Sequence, residues 1–208
     1  EWEFDFAPHD VGTYPWLNGQ TYASDIEHQM PVEECGNMLI LVSAVCRAEN
    51  DYSFAKQNFE LLKKWSAYLE KYGEDPGNQL CTDDFAGHMP HNVNLAIKAV
   101  MGLAGFADIL SRLGNTAEAE RSAAVAREYA ESICRRALNC DGSHRLAFDR
   151  EDTFSIKYNA VWDKLWKTGL FGDEFFRAET ERYKKEALPY GVPLDSRAKY
   201  TKSDWQIW

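Results

Sequence analysis

The chain has 208 residues, 45% of them apolar and 13% aromatic, with a formal charge of −10 from 23 basic and 33 acidic side chains. That much apolar side chain suits one large domain with its own core and excludes a disordered chain. The acidic balance argues against phosphate-driven nucleic-acid binding, and no apolar run reaches the roughly 18 residues that cross a bilayer.

In chain order, six helices are expected. Residues 31–49 open with Pro31 in the first turn, where its missing N–H costs nothing. Glu33 and Glu34 follow at the positive end of the dipole, and Met38 to Cys46 is apolar on nearly every side. Residues 53–72 instead carry a single apolar stripe (Phe54, Leu61, Leu62, Trp65, Tyr68, Leu69, Tyr72) and stop at Gly73. The pair repeats. Residues 92–113 are apolar all round, while 115–138 are one-sided and begin with a capping-box pattern, Asn115 to Glu118. A third pair follows at 156–168, aromatic-rich, and 173–186, amphipathic.

A helix apolar all round is buried on all sides, and a one-sided helix lies outside. The order inner, outer, inner, outer, inner, outer describes α-hairpins in two rings. The expected fold is therefore all-α, an α/α-toroid over 1–208. Its inner helices are 31–49, 92–113 and 156–168, and its outer helices 53–72, 115–138 and 173–186. A further inner helix is expected to begin near 203. Met30-Pro31 returns as Met89-Pro90, a weak internal repeat.

Long loops (8–30, 74–91, 140–155, 188–202) precede the inner helices, whereas the links from inner to outer helix are short (51–52, Gly114, 170–172). All long loops then fall on one face, at the N-terminal mouths of buried helices. The stretch CTDDFAGHMPHNVNL, residues 81–95, sits at such a mouth. Asp83 and Asp84 suit a general acid/base pair or, equally, a turn cap beside a solvated carboxylate. Glu34 is a candidate partner for them, or simply complements the helix dipole. His88 and His91 have metal-ligand spacing without an evident third ligand, so no metal or cofactor is expected. Arg197 is placed either to fork a substrate carboxylate or to pair with Asp195 in a turn. Trp16, Trp162, Trp205 and Trp208 lie in or near the same loops. The five cysteines form no CxxC pair, though Cys134 and Cys140 are close enough in sequence to join.

The segments DVGTYP, EHQMPVEECGNMLIL, NQLCTDDFAGHMPHNVNLAIKAVMG, KYNAVWDKLW and YGVPLDSRAKYTKSDWQIW, spread over nearly the whole chain, resemble the glutaminase A family of secreted microbial hydrolases. The resemblance implies a β-rich N-terminal part, absent here, ahead of an α/α-toroid of the six-hairpin glycosidase kind, of which this chain is the middle, about three hairpins. It also implies a secreted or periplasmic location and hydrolysis of L-glutamine to glutamate and ammonia.

On that reading Asp83 or Asp84 serves as base with Glu34 as partner. Candidate substrate contacts are His88, His91, Asn94, Lys157, Asp163, Asp195, Arg197, Lys202, Asp204 and Trp205. A glycoside hydrolase using two mouth carboxylates, and a binding module without chemistry, are the competing readings. The expected partners are a small substrate, an amino-acid amide or a sugar, and either the rest of a parent protein or a second copy. The latter expectation rests on the start at Glu1, the end at Trp208 just inside a helix, and the count of three hairpins.

Overall fold

A helix with almost no exposed face organises the molecule. The structure is a computed structural model and describes residues 2–10, 12, 15, 25–81 and 84–207. Eight α-helices lie among them: α1 (Pro31–Glu49), α2 (Ser53–Gln57), α3 (Phe59–Tyr72), α4 (Val93–Arg112), α5 (Thr116–Arg136), α6 (Val161–Trp166), α7 (Asp173–Glu186) and α8 (Ser203–Ile207). No β-strand occurs among the described residues beyond isolated bridges. α4 packs mainly on α5 and α1, and α1 also packs on α3. The chain is therefore all-helical and built from hairpins, as the alternation of buried and one-sided helices implies.

α4 begins where Asn92 accepts a hydrogen bond from Leu95 N–H at 3.1 Å, satisfying one of the free donors of the first turn. Its composition alone would let it cross a membrane, a length the sequence reading did not credit to it. However, 89% of its most apolar window is buried inside the fold. Two glycines let α1 approach it. A Cβ on Gly102 would sit 3.2 Å from Gly36 Cα, and one on Gly36 would sit 2.6 Å from Lys98 Cγ. The outer helices bury single faces: Leu62, Trp65 and Leu69 from α3, small residues such as Ala126 and Ala130 from α5, and Phe175 from α7.

Four local expectations are corrected. The helix expected over 53–72 breaks at Asn58, whose side chain donates to Phe54 O at 2.9 Å and competes with the backbone ladder. Asn115 makes no side-chain cap, so the capping box does not form; Glu118 instead lies 3.5 Å from Lys63. The third inner helix is short. Residues 154–160 are all buried, but they run as irregular chain and a 3₁₀ turn (Tyr158–Ala160), and α6 itself exposes Lys164 and Leu165. All five cysteines are free thiols, so Cys134 and Cys140 do not pair.

Two flanks remain apolar and open. Leu41 and Val45 on α1 are 54% and 48% exposed, and Leu165 on α6 is 61% exposed.

Candidate active site

The described parts of the long loops meet at one end, and hydrogen bonds tie each to the next. His88 Nε2 lies 2.8 Å from Glu27 O, so that nitrogen carries the proton. Val93 N–H donates to Leu146 O, and Ile156 N–H to Leu194 O. Arg197 Nη1 donates to Ala86 O at 3.0 Å. The segments before α1, α4, α6 and α8 thus form one connected layer over the N-termini of the inner helices.

Within this layer, Glu33 and Glu34 occupy consecutive positions of α1. About 100° of helical rotation between neighbours turns them to different surroundings. Glu33 is fully buried and meets α4, where Lys98 Nζ donates to its Oε1 at 2.6 Å. The Lys98 stem passes over Gly36, the one residue type that leaves room for it. Lys98 also donates to Asn37 Oδ1 at 2.7 Å, and Asn37 Nδ2 donates to Glu34 Oε2 at 3.2 Å. Glu34 itself is half-buried. Burial pushes its carboxyl up to about 7, and the neighbouring Glu33 charge pushes the same way; the Asn37 hydrogen bond and the Lys98 charge oppose them.

Other candidate residues go elsewhere. Asp83 lies outside the described residues. Asp84 opens a 3₁₀ turn, Asp84–Ala86, whose last carbonyl is the one Arg197 holds. The Arg197 fork is spent on buried Asp195, with Nε to both oxygens at 3.0 and 3.1 Å and Nη2 to Oδ2 at 2.6 Å. Of the two roles open to it, Arg197 therefore makes the turn pairing and bridges the loops.

His91 adopts φ +61° and places Nδ1 2.7 Å from Asp75. Asn94 is buried; its Oδ1 accepts from Asn159 N–H and its carbonyl from Asn159 Nδ2. Asp163 does not join the mouth. Its carboxylate accepts from the Thr168 hydroxyl and from Leu170 and Phe171 N–H, which fastens the short link from α6 to α7. Lys202 sits over the Phe85 ring at 5.0 Å, Asp204 is exposed, and Trp205 stacks on Tyr158 with centroids 4.0 Å apart.

Lys157 is buried in a second cluster. Its Nζ donates to His144 O, Ser155 O and Ser155 Oγ, with Glu179 Oε2 at 3.6 Å. Glu179 also accepts from His144 N–H and from the Tyr183 hydroxyl. A cavity of about 360 Å³ opens beside this cluster, between α6, α7 and α8, lined in part by Lys157, Glu179, Tyr183 and Trp205. Lys157, Glu179 and Tyr183 are already engaged with one another and with the backbone around them.

From sequence, Glu33 and Glu34 could face the mouth or complement the helix dipole, and neither Lys98 nor Asn37 stood out. The single lysine in the apolar run of α4 was the available signal, since an unpaired buried ammonium is not tolerated. Among the described residues no group of three His, Cys, Asp or Glu side chains is placed to hold a metal.

A family model described as the glutaminase A six helical-hairpin domain matches residues 1–208. The chain is 32% identical over 207 residues to glutaminase A of Aspergillus oryzae, covering 98% of this chain and 30% of that protein. It is 23% identical to a probable glutaminase of Arthroderma benhamiae, covering 98% of this chain and 33% of the relative. The chain thus spans about a third of the length of the curated relatives it matches.

Proposed function

The chain belongs to the glutaminase A six helical-hairpin domain family, and on that premise we propose that it supplies the reaction centre of a glutaminase-like amidohydrolase, with Glu34 as proton donor. The observation that carries this reading is the state of Glu34. A half-buried carboxyl lifted to about 7, at the end where all the long loops meet, is poised to give up a proton near neutrality.

Amide hydrolysis needs two proton movements. A base takes a proton from water as its oxygen attacks the carboxamide carbon. An acid then protonates the leaving nitrogen as the C–N bond breaks, which yields a carboxylate and ammonia. We assign the second role to Glu34 and the first to Asp83 or Asp84, which precede the Ala86 carbonyl that Arg197 fixes. The substrate is a small carboxamide, L-glutamine in the first instance.

Removing the proton while keeping the shape isolates the role. Glu34→Gln, placed in the parent protein, is expected to lower ammonia release from L-glutamine by about 10²- to 10⁴-fold while the fold persists. Undiminished turnover in that variant would sink the assignment. Activity of the parent on glycosides but not on glutamine would move the reaction to the sugar class.

The same reading has neighbouring hairpins of a six-hairpin ring cover the open flank at Leu41 and Val45. Light scattering on the 208-residue chain should then show self-association, and a monodisperse monomer would count against it.

A further inference from the structure

We propose that Lys98 and Asn37 are positioning residues for Glu34: the Lys98 ammonium locks the Asn37 amide in one orientation, and the amide pins Glu34 Oε2, so that Oε1 is the oxygen that carries and delivers the proton. The delivery of the proton rests on the proposed function.

The chemistry of the donors forces the geometry. An ammonium only donates, so the Asn37 atom 2.7 Å from Lys98 Nζ must be the carbonyl oxygen. Nδ2 is then turned toward Glu34 and can only donate to Oε2, 3.2 Å away. An oxygen that receives an N–H does not point a proton at that same donor, so protonation falls on Oε1. In a free asparagine the two amide orientations are nearly equivalent; here the buried lysine chooses between them.

Lys98 is itself held. Its stem lies against the bare face of Gly36, and its ammonium is bonded to Glu33 Oε1 at 2.6 Å. The charged and titratable groups facing Glu34 are Glu33 and Cys35 on its own helix and Lys98 from α4. Burial and Glu33 raise the Glu34 carboxyl, while the Asn37 bond and Lys98 restrain it. The relay therefore keeps the group from rising so high that it could not release its proton near neutrality.

Two readouts on the full-length parent protein separate the relay from the catalytic assignment. One is the pH dependence of ammonia release from L-glutamine. The other, independent of activity, is the pH at which Glu34 stops reacting with a water-soluble carbodiimide, followed by peptide mass mapping. Asn37→Leu and Lys98→Met are each expected to move both midpoints up by about one pH unit. The double variant should move them by less than the sum of the single changes, because part of the Lys98 effect passes through the Asn37 amide. Should Lys98→Met strand Glu33 and fail to fold, Glu33→Gln/Lys98→Met read against Glu33→Gln takes its place.

A labelling midpoint unmoved by Asn37→Leu overturns the relay, as does a double shift equal to the sum of the singles. A labelling midpoint that moves as expected while the turnover profile stays fixed upholds the relay and refutes Glu34 as the proton donor.

Discussion

The molecule buries two lysine–glutamate pairs, and they end in different states. In the α1–α4 pair, Lys98 and Glu33 sit beside a second carboxylate, Glu34, which accepts from the neutral Asn37 amide. In the third hairpin, Lys157 and Glu179 sit among His144, Ser155 and Tyr183, and each group answers another. Burial works to raise Glu179, but Lys157 and the His144 bonds outweigh it and hold the carboxyl below its ordinary value. Burial with no cation of its own lifts Glu34 instead. Similar residues thus give a closed, inert cluster in one place and a titratable acid in the other. What differs is whether the extra group beside the pair has a counter-charge.

The comparison breaks first at Glu179 if it is wrong. Glu179→Leu leaves Lys157 buried without its carboxylate and should cost about 3–5 kcal/mol in chemical denaturation. Lys157→Met/Glu179→Leu should recover most of that loss, because a well-packed apolar pair replaces a buried ion pair at little cost. A mild single variant would show that the cluster does not hold the hairpin.

Next in size is the glycine on which only the first pair depends. Gly36→Ala would set a methyl group 2.6 Å from Lys98 Cγ, and overpacking of this kind costs about 1–3 kcal/mol. Its melting temperature should fall, and an unchanged one would mean that the Lys98 stem has room to move.

Glu34 tests the sign of the difference. Its folded carboxyl stands near 7 against an ordinary 4.5, so the folded state holds its proton more tightly than the unfolded state. Stability from this group is therefore full below about 4.5 and is lost as pH rises toward 7. Glu34→Gln removes that loss. At about pH 8 it should be more stable than the parent by about 1–2 kcal/mol, discounted for partial exposure, and the gain should vanish at about pH 4. A gain that persists in acid would assign the effect to packing.

The smallest effect belongs to an exposed cluster around Asp75. Asp75→Asn loosens His91 and Arg136 and should change stability by less than about 1 kcal/mol, with no effect on the pH profile.

The arrangement of helices was legible because it rests on periodicity. α1 and α7 run as the pattern of apolar residues says, and α4 is buried because no face of it is polar enough to meet water. The break at Asn58 and the missing cap at Asn115 were not legible, since a side-chain hydrogen bond to the backbone depends on local geometry that one residue type does not fix. In the third hairpin, aromatic richness suggested a long inner helix. The buried stretch there is irregular chain instead, held by Lys157 and by the bridge from Ser155 to Asp195.

For the site, sequence placed the long loops together and put Glu34, His88 and Asp195 near the mouths of helices. It also placed Asp163 there, although that carboxylate closes the opposite, short connection. By itself the sequence determined that α4 is buried, that long loops precede the inner helices, and to which family the chain is related, because hydrophobic period and loop length are properties of the chain. Only the tertiary structure decided which of two adjacent glutamates meets a lysine 65 residues away and which is left to titrate. Contact across the fold sets that choice, and residues that far apart in sequence announce no partner before the chain has packed.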